Sequence, residues 1–285
     1  MTLLNIIILA VVQGFAELLP VSSSAHVVVA EKLLHLDPAS PPMTLLLVML
    51  HTGTMFAVIV YFWSQWRATY FASVPAFRRA ALLVVVATVF TGIVGGALVK
   101  LIEKNALGAA SGAAVEDLFS HLELIAPALA AAGVLILIAG IVERRRAARP
   151  PAQSSELSIG QAGIVGAVQG LCLPFRGFSR SGATISTGML LRVEKSRVEA
   201  FSFALAVILT PIVVGREALR LQHADHSGFA AAAFPSLLGM VFSFVAGLLA
   251  LKWLSSWLEQ GRWFYFGIYC VLASIGVFML HHAGY

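Results

Sequence analysis

Residues 11–26 read VVQGFAELLPVSSSAH, and residues 168–184 read VQGLCLPFRGFSRSGAT. Both stretches contain Val-Gln-Gly in an apolar segment, then a proline, then a serine-rich turn that leads into another apolar segment. Because proline and serine favour the start of a new helix, each stretch predicts a helix that breaks and resumes. Such interruptions are tolerated inside a bilayer only where protein or water surrounds them. We therefore expect two broken-helix elements that enter the membrane and turn back.

The rest of the chain has the composition of a membrane protein. Of its 285 residues, 59% are hydrophobic and 12% are charged, about half the charged fraction of a soluble domain. Uncharged stretches of the length that a spanning helix needs, or slightly less, occur at 43–66, 80–99, 124–142, 200–215, 227–251 and 263–280. We predict an all-α, polytopic integral membrane protein with about six transmembrane helices plus the two re-entrant elements.

The basic residues indicate topology rather than a nucleic-acid partner. The formal charge is +5, and arginines gather in two short connections at 64–79 and 143–157, as the positive-inside tendency predicts for cytoplasmic segments. The second connection is also rich in proline, glutamine and serine, and we interpret it as a polar linker. It would divide a single membrane domain, 1–285, into repeat halves of about 1–145 and 158–285.

Three full spans then follow each broken element, which gives the two halves opposite orientations in the membrane. Inverted repeats of this kind bring their broken helices together near the bilayer midplane. A site shared by the two elements is the natural inference. The alternative is that two Gln-Gly matches and two serine clusters arose by chance in a sequence rich in small residues.

Glu17 is the main functional candidate of the first element. It is the only acidic residue among the first thirty, and a charged side chain in a membrane helix costs about 2.5–3.5 kcal/mol unless it faces a cavity or a partner. Gln13 lies four residues earlier on the same helical face, and the pair could hold a metal ion or a water. Alternatively, Glu17 is protonated or hydrogen-bonded to a neighbouring helix.

Ser22 and Ser23 lie four and three residues before His26, the spacing at which a hydroxyl and an imidazole meet on a helix. A serine nucleophile needs its base within hydrogen-bond reach, and a histidine could itself attack or donate a proton. Either serine could be the nucleophile. However, a serine-rich helix start is more often a cap, and a lone membrane histidine is often a packing residue.

The second element carries groups that bind anions. Arg180 lies between two apolar runs and offers a guanidinium beside hydroxyl groups and the N–H groups of a helix start. Its neighbours with a predicted role in substrate binding are Ser179, Ser181, Gly182 and Thr184. A snorkelling cytoplasmic arginine is the alternative. With the first element, this set indicates phosphoryl chemistry on a lipid-borne phosphate, where catalysis depends on positioning and charge stabilisation.

Through QGFAELLPVSSSAH at 13–26 and FRGFSRSGATISTGM at 175–189, the sequence resembles the undecaprenyl-diphosphate phosphatase family of bacterial membranes, also known for bacitracin resistance. The likeness runs over nearly the whole chain. It implies hydrolysis of undecaprenyl diphosphate to the monophosphate carrier lipid of cell-wall synthesis, with Mg²⁺ or Ca²⁺. It also implies a site that opens to the outer, periplasmic face of the plasma membrane. The partners would be the polyprenyl diphosphate lipid and the bilayer, and a homodimer is left open.

Carried over by position, the resemblance implies a functional core of Glu17, Ser23, His26 and Arg180. It implies supporting contacts to phosphate or metal from Gln13, Ser22, Ser179, Ser181 and Thr184. Two residues depart from the family pattern. Ala25 replaces the usual glycine before the histidine, and Arg176 stands where proline commonly precedes Gly177. Arg176 could alter the loop or add a phosphate contact.

The alternative function is transport of a polyprenyl phosphate, because broken helices in inverted repeats are also a common plan of secondary transporters. A phosphatase needs a nucleophile and an acid–base group beside the phosphate, whereas a carrier needs only binding groups and two accessible states. Ser23 with His26 favours the enzyme. A purely structural membrane protein would not gather ionisable residues on broken helices. Cys172 and Cys270 lack the spacing of a zinc site or a disulfide framework.

Overall fold

The computed structural model describes residues 2–37, 40–104, 121–147, 156–222 and 229–284. These residues form helices and no strand, so the all-α prediction is confirmed for the described chain. In chain order the helices are α1 (Leu3–Leu18), α2 (Ser23–Leu33), α3 (Pro41–Thr69), α4 (Val74–Ile102), α5 (Leu122–Ala147), α6 (Ile159–Leu171), α7 (Arg180–Leu190), α8 (Lys195–Gln222), α9 (Phe229–Glu259) and α10 (Phe264–His282).

The long helices carry the membrane spans. Among the described residues, α3, α4, α5, α9 and α10 are long and apolar enough to cross a bilayer. The remaining predicted stretch, 200–215, lies within α8, which has 28 residues. The chain is therefore a polytopic membrane protein, as its composition predicts.

Both predicted interruptions occur. α1 ends at Leu18, because Leu19 is extended and Pro20 follows, and α2 begins after Ser22, whose hydroxyl accepts a bond from the N–H of Ala25. α6 ends at Leu171, and α7 begins after its N-cap Ser179. α2 and α7 have 11 residues each, or about 16 Å of helix, roughly half the hydrocarbon thickness.

The short helices α1 and α6 pack along long helices through glycine. A Cβ at Gly14 would lie 2.5 Å from the Cβ of Ala246 on α9, and a Cβ at Gly166 would overlap the backbone of Ala87 on α4. Small residues at helix crossings allow this close approach of two backbones in a membrane. The contacts hold α1 and α6 in place, and with them the turns that follow.

The chain before residue 148 and the chain after residue 155 each contain two shorter helices followed by three long ones. This order agrees with two repeats, while their inverted orientation stays a prediction. The predicted linker 143–157 begins inside a helix, because α5 continues through the arginine run to Ala147. Residues 148–155 of that linker lie outside the described residues.

Candidate active site

The turns of the two broken helices meet at a pocket of about 260 Å³. Its walls come from the α1–α2 turn, the α6–α7 loop, and parts of α3 and α8. The polar side chains that carry its chemistry are Glu17, Ser23, His51, Arg176, Ser179 and Arg180. The pocket thus combines residues of both elements, as the shared-site inference required.

Glu17 is the centre of the hydrogen-bond network. An Nη2–H of Arg180 donates to its Oε1 at 2.7 Å, and the hydroxyl of Ser23 donates to its Oε2 at 2.6 Å. The amide of Gln13 donates to the same Oε2 at 3.2 Å. The Glu17 side chain is 14% exposed and that of Arg180 is 24% exposed, so the ion pair is largely shielded from solvent. It joins positions 163 residues apart in sequence.

Ser22 and Ser23 have different surroundings. Ser22 is 5% exposed, has φ +70°, and uses its hydroxyl to cap α2 and to contact Ser24 at 3.2 Å. Ser23 instead directs its hydroxyl to the carboxylate of Glu17, which can accept the proton as the oxygen attacks. The geometry therefore distinguishes two serines that the spacing left equal, and it favours Ser23 as the nucleophile.

His26 is turned away from Ser23. Its Nδ1–H donates to the carbonyl of Ser22 at 2.8 Å, and because a carbonyl only accepts, the proton lies on Nδ1. Its Nε2 then accepts from the hydroxyl of Tyr269 at 2.6 Å. The expected hydroxyl–imidazole bond is not formed between these described residues, and His26 is not among the side chains that line the pocket. The spacing failed as a guide because the backbone carbonyl of the N-cap residue Ser22 accepts the Nδ1–H of the ring instead.

The predicted anion-binding residues of the second element fall into two groups. Ser179, Arg180 and Ser181 line the pocket. The hydroxyl of Ser181 donates to the carbonyl of Leu19 at 3.3 Å and so ties the two elements together. Gly182 and Thr184 do not line the pocket; Thr184 is fully buried and shares a 2.6 Å hydrogen bond with Ser202 on α8. Their contacts stabilise packing.

His51 on α3 is a pocket residue that the motif analysis missed. Its Nδ1–H donates to the carbonyl of Leu47 at 2.8 Å, and its Nε2 lies 3.9 Å from Oε2 of Glu17. It occurs in the uncharged stretch 43–66, outside both broken-helix motifs. The sequence could have revealed His51 through the rule that an ionisable residue in a membrane span is a functional candidate by default.

Comparison with known proteins identifies the family. The family model of bacitracin resistance protein BacA matches residues 6–276. The chain belongs to the BacA family. Undecaprenyl-diphosphatase 2 of Acinetobacter baylyi is 55% identical over 281 residues, with 96% of each chain covered. Undecaprenyl-diphosphatase 1 of Burkholderia pseudomallei is 35% identical over 295 residues, with 99% of each chain covered.

The oxygen donors in the pocket of this BacA-family chain suit a divalent cation that is bound partly by the substrate. Glu17 is the only acidic residue that lines the pocket in the described chain, where no group of three or more His, Cys, Asp or Glu could hold a metal. Beside it, Oε1 of Gln13 is buried and accepts no hydrogen bond from the described residues. Mg²⁺ is usually bound through one or two carboxylates plus substrate phosphates. Glu17 fits a cation that arrives with a phosphate ligand better than a site built of protein alone, whereas Gln13 is 1% exposed and does not line the pocket.

Proposed function

We propose that this chain hydrolyses undecaprenyl diphosphate to undecaprenyl phosphate and inorganic phosphate in the bacterial plasma membrane. Two curated relatives, each aligned over 96% or more of its length, are named undecaprenyl-diphosphatases. The observation that carries the proposal is the Arg180–Glu17–Ser23 network at the junction of the broken helices. The network joins a guanidinium, a carboxylate and a hydroxyl in one pocket, and these groups would bind the phosphate, accept the proton and attack the phosphorus.

Arg180 would bind the terminal phosphate. A guanidinium has five N–H donors, and the bond to Glu17 uses one of them, so others remain for phosphate oxygens. The N-terminus of the 11-residue helix α7 points the positive end of its dipole to the same place. Both contributions grow in a phosphoryl-transfer transition state, in which negative charge is spread over the transferred group.

Ser23 would attack the terminal phosphorus. Its Oγ forms the new P–O bond, its proton passes to Glu17, and the bond from phosphorus to the bridging oxygen breaks, releasing undecaprenyl phosphate, which takes the proton from Glu17. Water then attacks the phosphoserine and gives its proton to Glu17, which passes it to Oγ of Ser23 as the P–Oγ bond breaks and inorganic phosphate leaves. A direct attack by water, activated by Glu17, gives the same products. The 2.6 Å Ser23–Glu17 bond favours the serine.

Mg²⁺ or Ca²⁺ is the proposed cofactor. Glu17, with Gln13 beside it, would hold the cation against the diphosphate. The cation supplies charge neutralisation for the phosphate oxygens. The protein residues retain their roles in binding the terminal phosphate, orienting the nucleophile and accepting its proton.

The site is proposed to open to the outer face. His51 lies 16 residues before Arg67 on α3, which corresponds to about 24 Å along the helix. If the arginine-rich connection 64–79 is cytoplasmic, as the positive-inside rule predicts, the pocket lies in the opposite half of the membrane. Diphosphate released by cell-wall synthesis on the outer leaflet would then reach it directly.

Phosphate release by the purified protein in detergent, from undecaprenyl or farnesyl diphosphate, with and without EDTA, tests the function and the cofactor separately. Release is expected, and EDTA is expected to abolish it. Release that persists in EDTA would reject the cation but retain the phosphatase. No release by well-folded protein would reject hydrolysis and leave lipid-phosphate transport as the better account.

A further inference from the structure

The loop between α6 and α7 contains a tight turn with an arginine at its tip. The N–H of Phe178 donates to the carbonyl of Phe175 at 3.1 Å, and Gly177 has φ +101°. A turn with positive φ at its third residue is of type II, so Arg176 occupies the second position. The N–H of Gly177 donates to the hydroxyl of Ser24 at 3.3 Å, which fixes the turn to the first element.

The turn itself does not require an arginine. Proline is favoured at the second position of a type II turn, and most other residues are compatible with it. Gly177 has the constrained position, because its φ is positive and a Cβ there would lie 2.5 Å from the carbonyl oxygen of Ile125. The turn therefore does not account for an arginine at position 176, and the reason for it lies in the surroundings of its side chain.

The charges in the pocket suit a second positively charged side chain beside Arg180. Arg180 and Glu17 form an ion pair and largely cancel each other, whereas a diphosphate brings two adjacent anionic groups. Arg176 also lines the pocket. It interacts electrostatically with Glu31 of α2, a 4% exposed residue that does not line the pocket.

Apolar side chains beside Arg176 mark the direction of a lipid tail. Leu173 and Phe175 belong to the same loop, line the same pocket, and are 47% and 42% exposed. A prenyl chain would pack on these side chains. With the chain in that place, the phosphate bonded to it would lie beside Arg176, and the terminal phosphate would reach Ser23 and Arg180, which line the same pocket.

We propose that Arg176 binds the phosphate that stays on the lipid. The inference rests on the proposed phosphatase function, and it adds a substrate-binding residue to it. The phosphate bound by Arg176 is the leaving group, and it gains negative charge as the bond from the terminal phosphorus to the bridging oxygen breaks. Loss of the Arg176 contact therefore weakens substrate binding and weakens the transition state further, so that kcat/KM falls and part of the loss lies in kcat.

The test uses Arg176→Gln, Arg176→Pro and Arg176→Lys with farnesyl diphosphate as substrate. The proline variant preserves the turn while it removes the cation, so it separates the charge from the fold. For both uncharged variants we expect kcat/KM to fall on the order of 10- to 100-fold, the range of charge-assisted hydrogen bonds, with part of the loss in kcat. The lysine variant should fall between them and the wild type.

Inhibition assays identify which phosphate is bound. Competitive inhibition by farnesyl monophosphate should weaken in the uncharged variants, and inhibition by inorganic phosphate should not change. Arg79→Gln is the matched control, because Arg79 forms an exposed ion pair with Glu156 and does not line the pocket. An unchanged kcat/KM, or weaker inhibition by inorganic phosphate, would overturn the assignment. Absence of turnover in the wild type would reject the phosphatase instead.

Discussion

Replacement of Glu17 by glutamine changes the charge at the centre of the site and leaves its size nearly the same. The substitution removes two charge-assisted hydrogen bonds, from Arg180 at 2.7 Å and from Ser23 at 2.6 Å. Each such bond contributes about 1.5–3 kcal/mol. Glutamine also cannot take the proton of Ser23, an acid–base contribution that is typically about 10²–10⁴-fold. We therefore expect kcat/KM to fall by about 10²–10⁴.

The assay is release of phosphate from farnesyl diphosphate by purified protein in detergent, with thermal unfolding and gel filtration as tests of folding. Glu156→Gln is a closely matched control. Glu156 pairs with Arg79 at 2.8 Å, nearly the distance of the Glu17–Arg180 pair, but the two side chains are 63% and 56% exposed. Exposed pairs contribute about 0–1 kcal/mol, so this variant should retain wild-type turnover.

Two results would refute the reasoning about Glu17. One is a folded Glu17→Gln variant that retains more than about a tenth of the wild-type kcat/KM, since general acid–base roles contribute more than that. The other is an equal loss of turnover in Glu156→Gln, which would mean that any charge loss on this protein is harmful.

Three further substitutions test the nucleophile, the position of His26 and the helix packing. Ser23→Ala should lower kcat at least about 10²-fold; a fall of less than tenfold in the same phosphate assay would assign the attack to water. Tyr269→Phe removes the hydroxyl that His26 accepts from and should cost about 1 kcal/mol of stability, with kcat little changed because neither ring lines the pocket. A loss of turnover as large as that of Ser23→Ala would place His26 in the reaction. Gly166→Ala should destabilise the protein by about 1–3 kcal/mol because its Cβ overlaps the α4 backbone, whereas Gly96→Ala, with no atom within 4 Å, should be neutral or stabilising; equal thermal midpoints would contradict the packing argument.

The sequence was informative wherever the physics is local. Long uncharged stretches identify spans because a bilayer penalises each charge independently of the rest of the fold. Breaks after Leu18 and before Arg180 follow from proline and capping residues, whose effects extend over a few positions. Glu17 and Arg180 are visible as candidates because a charge in apolar sequence needs a partner.

The contacts that the sequence did not reveal depend on residues far away in the chain or on a backbone group that takes the place of the expected partner. The Ser23–His26 bond was expected from spacing, but the Ser22 carbonyl and Tyr269 occupy the imidazole. His51 was missed because it belongs to neither broken-helix motif, and only the packing of α3 brings it to 3.9 Å from Glu17. Thr184, predicted to support phosphate or metal binding, shares a buried hydrogen bond with Ser202 and does not line the pocket.

The sequence by itself thus determined that the chain lies in a membrane. It also determined the helices, their breaks and the charged residues that need an explanation. Tertiary structure alone decided that Arg180 is the partner of Glu17, that Ser23 rather than Ser22 faces the carboxylate, and that Arg176 lines the same pocket. The physical reason is the separation along the chain over which each interaction acts. Hydropathy, capping and helix breaking act over a few neighbouring residues, whereas a pairing across 163 positions depends on how every intervening helix packs.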